Sequence, residues 1–262
     1  MAQGLQGRQD GSVGMTVSLA QGRGHGLTLP PAFTALVITQ DSDGAFAEAC
    51  RIARTDEAGT GTLVWGGPAE TMEIAVVLAP EEPLRTARRA FVAGMVALAA
   101  AVGAHAPPEM PIEIEWPDTL RFDGARIGGG RLGWPETCGE DEEPEWLVFS
   151  GMFIVSKAYA GDPGLTPLST SLEEQGFGYD DQESLVEGFA RNLMKTFESW
   201  QEDGFDAVAD RYLRHLPVGD GEFSRTLNAN GDLVEGAEAH RLLLPELSTP
   251  SWHDPATGRV RL

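Results

Sequence analysis

The sequence predicts an α+β fold in which a mixed, mainly antiparallel sheet packs with helices on one face. Three observations support this prediction. Asp123-Gly124 separates two short apolar segments and is a strong signal for a β-hairpin. Several strand-like segments follow one another without a helix between them. The longest helical pattern, residues 84–102, stands apart from them, unlike the regular alternation of a doubly wound parallel sheet.

The first elements begin at about Pro30. Residues 34–39 form a short apolar run with β-branched side chains, which predicts a strand. Asp41, Ser42 and Asp43 offer N-caps for a helix from about Ala45 to Arg54. Residues 73–79 form a near-continuous apolar run, which predicts a buried strand.

The middle of the chain combines one long helix with further strands. Apolar side chains recur at helical spacing over residues 84–102 and predict a long amphipathic helix packed on the sheet. Residues 111–116 alternate apolar and polar side chains, which predicts a half-exposed strand. The apolar residues 146–155 predict a long central strand.

Two helices and a small appendage are predicted after that strand. Helical spacing over residues 185–200 and again from about Phe205 to Leu216 indicates a pair of helices. Residues 217–262 are punctuated by glycine and predict a small β-rich domain. Residues 1–28 are rich in Gly and Gln, so a flexible leader is expected there, with the main domain at residues 29–216.

Composition and charge exclude several classes of protein. The formal net charge of -21 repels a phosphate backbone, so no nucleic-acid partner is expected. Cys50 and Cys138 are far apart, which argues against a zinc site or a disulfide framework and favours a reducing cytoplasm. No uninterrupted apolar run approaches the roughly 18 residues of a membrane span, so no membrane partner is expected.

Four segments resemble the biotin/lipoate protein ligase family and occur in the same order as in that family. Ile112 to Leu132 (IEIEWPDTLRFDGARIGGGRL) is similar to a strand ending in Lys-Trp-Pro-Asn-Asp, followed by a hairpin into Lys-(Ile/Leu)-(Ala/Ser)-Gly. Ala58 to Trp65 resembles the family's Gly-Arg-Gly-Arg loop and the Trp that follows it. Ser169 to Gly176 resembles its Ala-Thr-Ser-Leu loop, and Phe197 to Leu216 its closing helices.

The resemblance implies a fold like that of class II aminoacyl-tRNA synthetases and biotin ligases. It also implies an activity. Such enzymes join a carboxylic acid, biotin or lipoate, to ATP, usually with Mg²⁺, and form an acyl adenylate. They then transfer the acyl group to a lysine of a biotinyl or lipoyl carrier domain.

Carried over residue by residue, the resemblance places Arg126 at the catalytic lysine position. It implies that the ligand-binding residues belong to the loop, the Trp-Pro motif and the glycine-rich strand. These are Gly59, Thr60, Gly61, Thr62, Trp65, Trp116, Pro117, Asp118, Gly128, Gly129 and Gly130. Since glycines let the backbone approach a ligand, we expect the three segments to line one cleft.

The chemistry of this site departs from the family pattern. The loop arginines are absent, with Thr60 and Thr62 nearby instead. Arg126 keeps the positive charge of the lysine, but its planar guanidinium has a different geometry. In an alternative interpretation, Arg126 is a surface cation paired with Asp123 or Asp118. The two tryptophans are then pocket or core walls, and Asp118 is a turn cap.

Two functions therefore remain open from the sequence. One is a diverged ligase that binds a carboxylic acid and ATP. The other is a catalytically inactive binding or regulatory protein on the same scaffold. A third, more distant hypothesis uses Cys138 as an acyl-accepting nucleophile, although it lies in a charged loop. The scattered histidines support no metal site.

Overall fold

A seven-stranded sheet forms the centre of the computed structural model, which describes residues 26–39, 42–55, 59–67, 69–218, 224–236 and 239–262. The predicted leader falls almost entirely outside these residues, as do Asp41 and Ala58. In chain order the strands are β1 (Thr34–Val37), β2 (Thr62–Gly66), β3 (Thr71–Leu78), β4 (Ile112–Glu115), β5 (Thr119–Phe122), β6 (Ala125–Gly133) and β7 (Leu147–Ile154). Their order across the sheet is β1-β2-β3-β7-β6-β5-β4.

The sheet is mixed and mainly antiparallel, as the sequence predicts. β1 and β2 pair in parallel, and each of the other neighbouring pairs is antiparallel. The parallel pair follows from the helix that connects its strands, because a parallel connection needs a crossover. Asp123 and Gly124 take positive φ angles of 48° and 78°, which suits a tight hairpin turn between β5 and β6. The predicted central strand is β7, at the middle of the sheet.

The helices of the main domain follow the predicted order, with one correction. They are α1 (Ala45–Thr55), α2 (Leu84–Ala87), α3 (Ala90–Gly103), α4 (Tyr179–Asp203) and α5 (Phe205–Leu213). The predicted long helix over residues 84–102 is divided into α2 and α3 at Arg88 and Arg89. It is also not amphipathic, because nearly every side chain of α3 is buried.

α3 is the central core helix of the molecule. It packs against the sheet on one side and against α4 on the other, which explains why it lacks a polar face. By length and composition alone, residues 84–103 are apolar enough to cross a membrane. Most of this segment is buried inside the protein, and a core helix of that kind meets the same criteria.

Helices cover both faces of the sheet, whereas the sequence predicts one face. α3, α4 and α5 pack together on the first face. α1 lies on the second face, over β2, β3 and β7. The reason is the apolar stripe of α1, whose buried members Ala49 and Ile52 meet Val64, Ala75 and Val148 of the strands.

The predicted β-rich appendage is present after α5. It contains a three-stranded sheet of β8 (Arg225–Leu227), β9 (Leu233–Glu235) and β10 (Ala239–Arg241), a short helix α6 (Leu243–Leu247), and a hairpin of β11 (His253–Asp254) and β12 (Arg259–Val260). Leu227, Leu233, Leu243 and Leu247 are buried in the same core cluster as α3. The appendage is therefore continuous with the main core.

Candidate functional site

Three consecutive glycines, Gly128, Gly129 and Gly130, allow other parts of the protein to pack closely against β6. A Cβ atom at Gly128 would lie 2.1 Å from the carbonyl oxygen of Met152 on β7. A Cβ at Gly130 would lie 2.4 Å from Met95 Sδ of α3, on the first face of the sheet. At Gly129 it would lie 2.5 Å from the indole ring of Trp252, on the second face. Larger side chains are therefore excluded by the protein's own atoms on both faces.

The group that covers Gly129 belongs to the last part of the sequence, residues 251–262, which we call the C-terminal strap. Trp252 is fully buried. Its Nε1 donates a 3.0 Å hydrogen bond to the carbonyl oxygen of Gly130. No local pattern in the sequence identifies Trp252, although three adjacent glycines do signal that some large group approaches the strand. Here that group is a side chain of the same chain.

Arg126 stands at the beginning of β6 beside the loop of residues 168–176. Its backbone N–H donates to Leu168 O at 2.9 Å, and its carbonyl accepts from Thr170 N–H at 2.8 Å. The structure thus brings Arg126 next to the segment that resembles the Ala-Thr-Ser-Leu loop. Lys157 stabilises the same loop, because its Nζ donates a 2.7 Å hydrogen bond to Ser169 O. No motif in the sequence marks this lysine.

The guanidinium of Arg126 is a partly buried cation. Nη1 donates to the backbone oxygen of Arg261 at 3.1 Å, whereas Nε is buried and has no hydrogen-bond partner within the described residues. Within the described residues Arg126 forms no salt bridge, so it pairs with neither Asp123 nor Asp118. Burial and the nearby Arg121 lower the pKa of Arg126. This arrangement favours the approach of an anion.

A second cation on the same strand, Arg131, is neutralised. Its Nη2 donates to Glu73 Oε1 at 2.6 Å, and its guanidinium lies 3.9 Å from the ring centre of Phe46. Glu73 is buried and also accepts hydrogen bonds from Ser150 Oγ at 2.8 Å and Phe46 N–H at 3.1 Å. This polar cluster fills the second face of the sheet between α1 and the C-terminal strap.

The Trp-Pro motif forms a wall beside the glycine-rich strand. Trp116 is buried in the main core, edge-on to Tyr212 with ring centres 5.8 Å apart. The Tyr212 hydroxyl donates a 2.7 Å hydrogen bond to Pro117 O. The peptide bond between Trp116 and Pro117 is cis. These contacts agree with the interpretation of Trp116 as a core wall.

Asp118 links this wall to the glycine-rich strand. Its carbonyl accepts a 2.8 Å hydrogen bond from Gly130 N–H. Its carboxyl group is buried: Oδ1 accepts from Thr119 Oγ1 at 3.0 Å, and no described side chain bonds to Oδ2. Burial is the main reason why its pKa is raised to about 7. A cavity of about 250 Å³ adjoins it, lined by Glu115, Trp116, Pro117, Asp118, Arg241, Glu246, Thr249 and Ser251.

The Gly59–Thr62 loop lies at the opposite end of the sheet, which contradicts the expectation of one shared cleft. Gly61 N–H bonds to Val77 O, whereas Gly128 pairs through β7 with the Met72 end of β3. Five residues along β3 correspond to about 17 Å, and three strand spacings to about 14 Å. The physical reason is that three antiparallel pairings separate β2 from β6, so their first residues point to opposite edges.

Local backbone geometry explains the glycine at position 61. Its φ is +89°, and a Cβ atom there would lie 2.1 Å from Ala32 O. Thr62 Oγ1 is occupied by a 3.0 Å hydrogen bond to Gly59 O. The nearby cavity, about 440 Å³, is lined by Thr60 and by the acidic Glu81 and Glu82, among others. The loop therefore presents no positive charge to a ligand.

Trp65 lies apart from both the glycine-rich strand and the Gly59–Thr62 loop, at the other end of β2. It lines a cavity of about 660 Å³, and its Nε1 is buried without a hydrogen-bond partner. The lining is mostly apolar and contains no Lys or Arg among the described residues. It comprises Val37, Ile38, Thr39, Trp65, Gly66, Gly67, Ala69, Thr71, Met72, Val155, Leu172, Glu173, Phe177, Gly178 and Gln182.

Cys138 has the surroundings of an unreactive thiol. Burial and the acidic Glu142 and Glu145 raise its pKa. Its Sγ contacts the carbonyl oxygens of Gly139 and Glu142 at 3.5 Å. Because the thiolate is the nucleophile, this environment argues against acyl transfer through Cys138. In the described part of the chain, His, Cys, Asp and Glu side chains form no cluster of three or more suited to a metal.

Comparison with known proteins gives a family and a fold. The sequence profile of the Biotin/lipoate A/B protein ligase family matches residues 29–214. A solved structure of a biotin protein ligase-like protein of unknown function from Silicibacter sp. TM1040 superposes with a TM-score of 0.70 at 27% identity, covering 85% of this chain and 99% of the other. No curated protein matches the sequence.

Solved biotin protein ligases from Aquifex aeolicus share the fold at lower identity. A variant in complex with biotin has a TM-score of 0.57 at 13% identity, with 81% of this chain and 96% of the other covered. The enzyme in complex with biotin and ATP has a TM-score of 0.53 at 14% identity, with coverage of 77% and 94%.

Proposed function

This chain belongs to the Biotin/lipoate A/B protein ligase family, and we propose that it binds a small carboxylic acid on the ligase scaffold without turning it over. The acid is biotin, lipoate or a chemically similar molecule. The observation that carries the proposal is Arg126, a partly buried cation with no salt-bridge partner among the described residues. In this function the protein is a binding or regulatory member of a family of ligases.

An unpaired arginine is unexpected in so acidic a protein. The sequence holds 40 Asp and Glu against 19 Lys and Arg, so a carboxylate is readily available to any exposed cation. The buried Nε of Arg126 nevertheless lacks an acceptor. A buried donor without a partner costs about 1–3 kcal/mol. A ligand carboxylate supplies both the missing acceptor and the missing charge, in the geometry that a guanidinium prefers.

The described residues do not fit the triphosphate of ATP. A nucleotide of that charge needs cations and backbone amides around its phosphates. The Gly59–Thr62 loop offers Thr side chains, and Glu81 and Glu82 line the cavity beside it. The cavity at Trp65 contains Glu173 and no cation among its described lining residues. The proposed function therefore includes no step through ATP or Mg²⁺.

A second candidate function, ligation to a carrier-domain lysine, is favoured by one observation. The cavity at Trp65 measures about 660 Å³ and adjoins Leu172 of the loop that resembles the family's Ala-Thr-Ser-Leu segment. That volume lies within the range of small-molecule sites, and its aromatic wall suits a flat ring. Pyrophosphate exchange in the presence of each acid separates the two functions. Exchange by the wild type establishes ligation, whereas binding without exchange supports our proposal.

The acid site is tested by calorimetric titration with biotin, lipoate and octanoate. Arg126→Ala is expected to weaken binding by about ten- to a hundredfold, since it removes a charge-assisted contact. Arg191→Ala is the matched control, because Arg191 is an exposed cation on α4 paired with Glu187. Measurable wild-type binding that Arg126→Ala leaves unchanged would remove Arg126 from the site.

A further inference from the structure

We propose that the C-terminal strap, residues 251–262, is a built-in occluding element, and that an acid reaches Arg126 only when the strap leaves the glycine-rich strand. This inference rests on the proposed function, whose acid site it regulates. It is carried by three features of the structure: the position of Trp252, the bond between Arg126 and Arg261, and the separation of the strap from the main core.

Trp252 occupies space that the glycine-rich strand leaves open. Its ring covers Gly129, where any Cβ atom would collide with it. Its Nε1–H satisfies Gly130 O at 3.0 Å, and the whole side chain is buried. The Trp252 indole, a flat ring with one N–H donor, thus covers Gly129 on the second face of β6. Removal of the indole would open the space over Gly129, which lies three residues along β6 from Arg126.

The strap also engages the cation directly. Arg126 Nη1 donates to Arg261 O at 3.1 Å, and Arg261 N–H in turn donates to Trp252 O at 2.7 Å. The indole and the arginine contact therefore belong to one hydrogen-bonded unit. The carbonyl of Arg261 is a neutral acceptor, and a carboxylate forms a shorter and stronger bond with a guanidinium. A carboxylate that bonds to Nη1 therefore takes the place of the Arg261 carbonyl.

The attachment of the strap is separable from the main core. Trp252 and Val260 pack with Met152 and Ile154 in a small cluster of their own, distinct from the cluster around α3. Its other contacts include the buried Thr119, whose Oγ1 lies 3.3 Å from Ser251 Oγ, and a partly exposed pair between Arg259 and Glu70 at 3.8 Å. Release of the strap leaves the core helices and most of the sheet contacts intact.

The first test measures acid affinity after the strap is removed or weakened. One variant ends at Pro250, and a second carries Trp252→Ala. Calorimetry with biotin, lipoate and octanoate is expected to show binding about tenfold or more tighter than in the wild type, because the apparent affinity of an occluded site is its intrinsic affinity multiplied by the open fraction. Trp146→Ala is the matched control, since Trp146 is also buried but packs in the cluster under α1.

Unchanged or weaker affinity in the folded variants would overturn the proposal. A second measurement avoids variants that fail to fold, because it uses the intact wild type. Hydrogen exchange of residues 251–262 is followed with and without the acid at saturation. The Arg261 amide, which bonds to Trp252 O, is expected to exchange faster when the acid is bound. Bound acid with unchanged or slower exchange there would contradict occlusion.

The outcomes separate this proposal from the acid site itself. If the acid binds to the wild type and to the shortened variant with equal affinity, the occluding role fails and the acid site stands. If no acid binds to any folded variant, the acid site fails and the occluding role fails with it. Tighter binding in the variant ending at Pro250, together with faster exchange in the wild type, supports both.

Discussion

Arg126 and Arg131 show how local surroundings decide the role of a side chain. Both project from β6, yet Arg131 is neutralised by Glu73 at 2.6 Å, whereas Arg126 bonds to a backbone oxygen at 3.1 Å and forms no ion pair in the described part of the chain. The place of Arg126 in a motif marks it as a candidate site residue from the sequence alone. Its lack of an ion-pair partner among the described residues follows from the folded structure, in which the Asp118 carboxyl group is buried and bonds to Thr119 instead.

The buried carboxyl group of Asp118 predicts a pH-dependent stability. Its pKa is raised from 3.8 to about 7, so the unfolded chain loses this proton at lower pH than the folded protein does. The free energy of unfolding is therefore expected to fall as pH rises from about 4 to about 7. The loss is on the order of 4 kcal/mol at 1.36 kcal/mol per pKa unit.

Urea unfolding across this pH range, for the wild type and Asp118→Asn, checks the prediction. The difference in stability between the two proteins should change in favour of Asp118→Asn as pH rises. Asp123→Asn, at the exposed hairpin turn, is the control. A constant difference between the wild type and Asp118→Asn from pH 4 to pH 7 would show that this carboxyl group titrates as an exposed one does.

At the scale of elements, the contact between β6 and the strap makes a prediction that can be measured by a double-mutant cycle. Gly129→Ala places a methyl group 2.5 Å from the indole of Trp252 and is expected to cost about 1–3 kcal/mol. In the Trp252→Ala background the same substitution is expected to cost almost nothing, since the space is vacant. Equal costs in both backgrounds, measured by chemical unfolding, would place Trp252 away from the strand.

Two glycines inside helices are expected to change the stability of the protein in opposite directions when each is replaced by alanine. Alanine gains about 1 kcal/mol over glycine inside a helix. At Gly188 of α4 a Cβ atom meets Ala101 at an ordinary 3.6 Å, so Gly188→Ala is expected to stabilise the protein. At Gly94 of α3 it would lie 2.3 Å from the buried ring of Phe149. Overpacking there outweighs the helical gain, so Gly94→Ala is expected to destabilise by about 1–2 kcal/mol.

Thermal melting of the two variants checks this pair. A rise in melting temperature for Gly94→Ala would mean that α3 is less tightly packed on β7 than the structure shows. A fall for Gly188→Ala would mean that the close approach of α3 and α4 cannot accept a methyl group.

Most elements were predictable because their signals are local. The hairpin at Asp123-Gly124, the buried strand β3 and the central strand β7 follow from short runs of residues and their periodicity. The break between α2 and α3 was missed, because apolar spacing continues across Arg88 and Arg89. The second-face position of α1 was also missed, since it depends on which side of the sheet the chain crosses.

The whole molecule unfolds as one unit if the appendage shares the main core. Arg88 connects the two parts: Nε donates to Asn230 O at 3.2 Å, and Nη2 lies 3.9 Å from Asp232. The side chains of Arg88 and Asp232 are both buried. Calorimetry is expected to show a single transition for the wild type, with equal calorimetric and van't Hoff enthalpies. Two separated transitions would indicate independent domains.

Arg88→Ala tests the same connection by mutation. Removing one partner of a buried ion pair costs about 3 kcal/mol or more, because the other charge is left buried. The variant is therefore expected to lower the melting temperature of the whole protein. Arg51→Ala is the control, since Arg51 pairs with Glu48 on the exposed side of α1. Equal melting temperatures for Arg88→Ala and the control would show that Arg88 does not couple the appendage to the main core.

The arrangement of the candidate site was only partly predictable. The sequence brought Trp116, Asp118 and Gly130 into one neighbourhood, and the structure agrees through the bond between Asp118 O and Gly130 N–H. The Gly59–Thr62 loop was placed with them wrongly, because strand direction across the sheet decides which edge a loop occupies. Trp252 was unforeseen, since its contact spans more than a hundred residues of sequence.

The most direct test of this account is a crystal structure with the acid that binds most tightly in calorimetry. Our account predicts a carboxylate within hydrogen-bond distance of the Arg126 guanidinium and Trp252 displaced from Gly129. An acid bound in the cavity at Trp65, with Arg126 still bonded to Arg261 O and the indole still on Gly129, would contradict it.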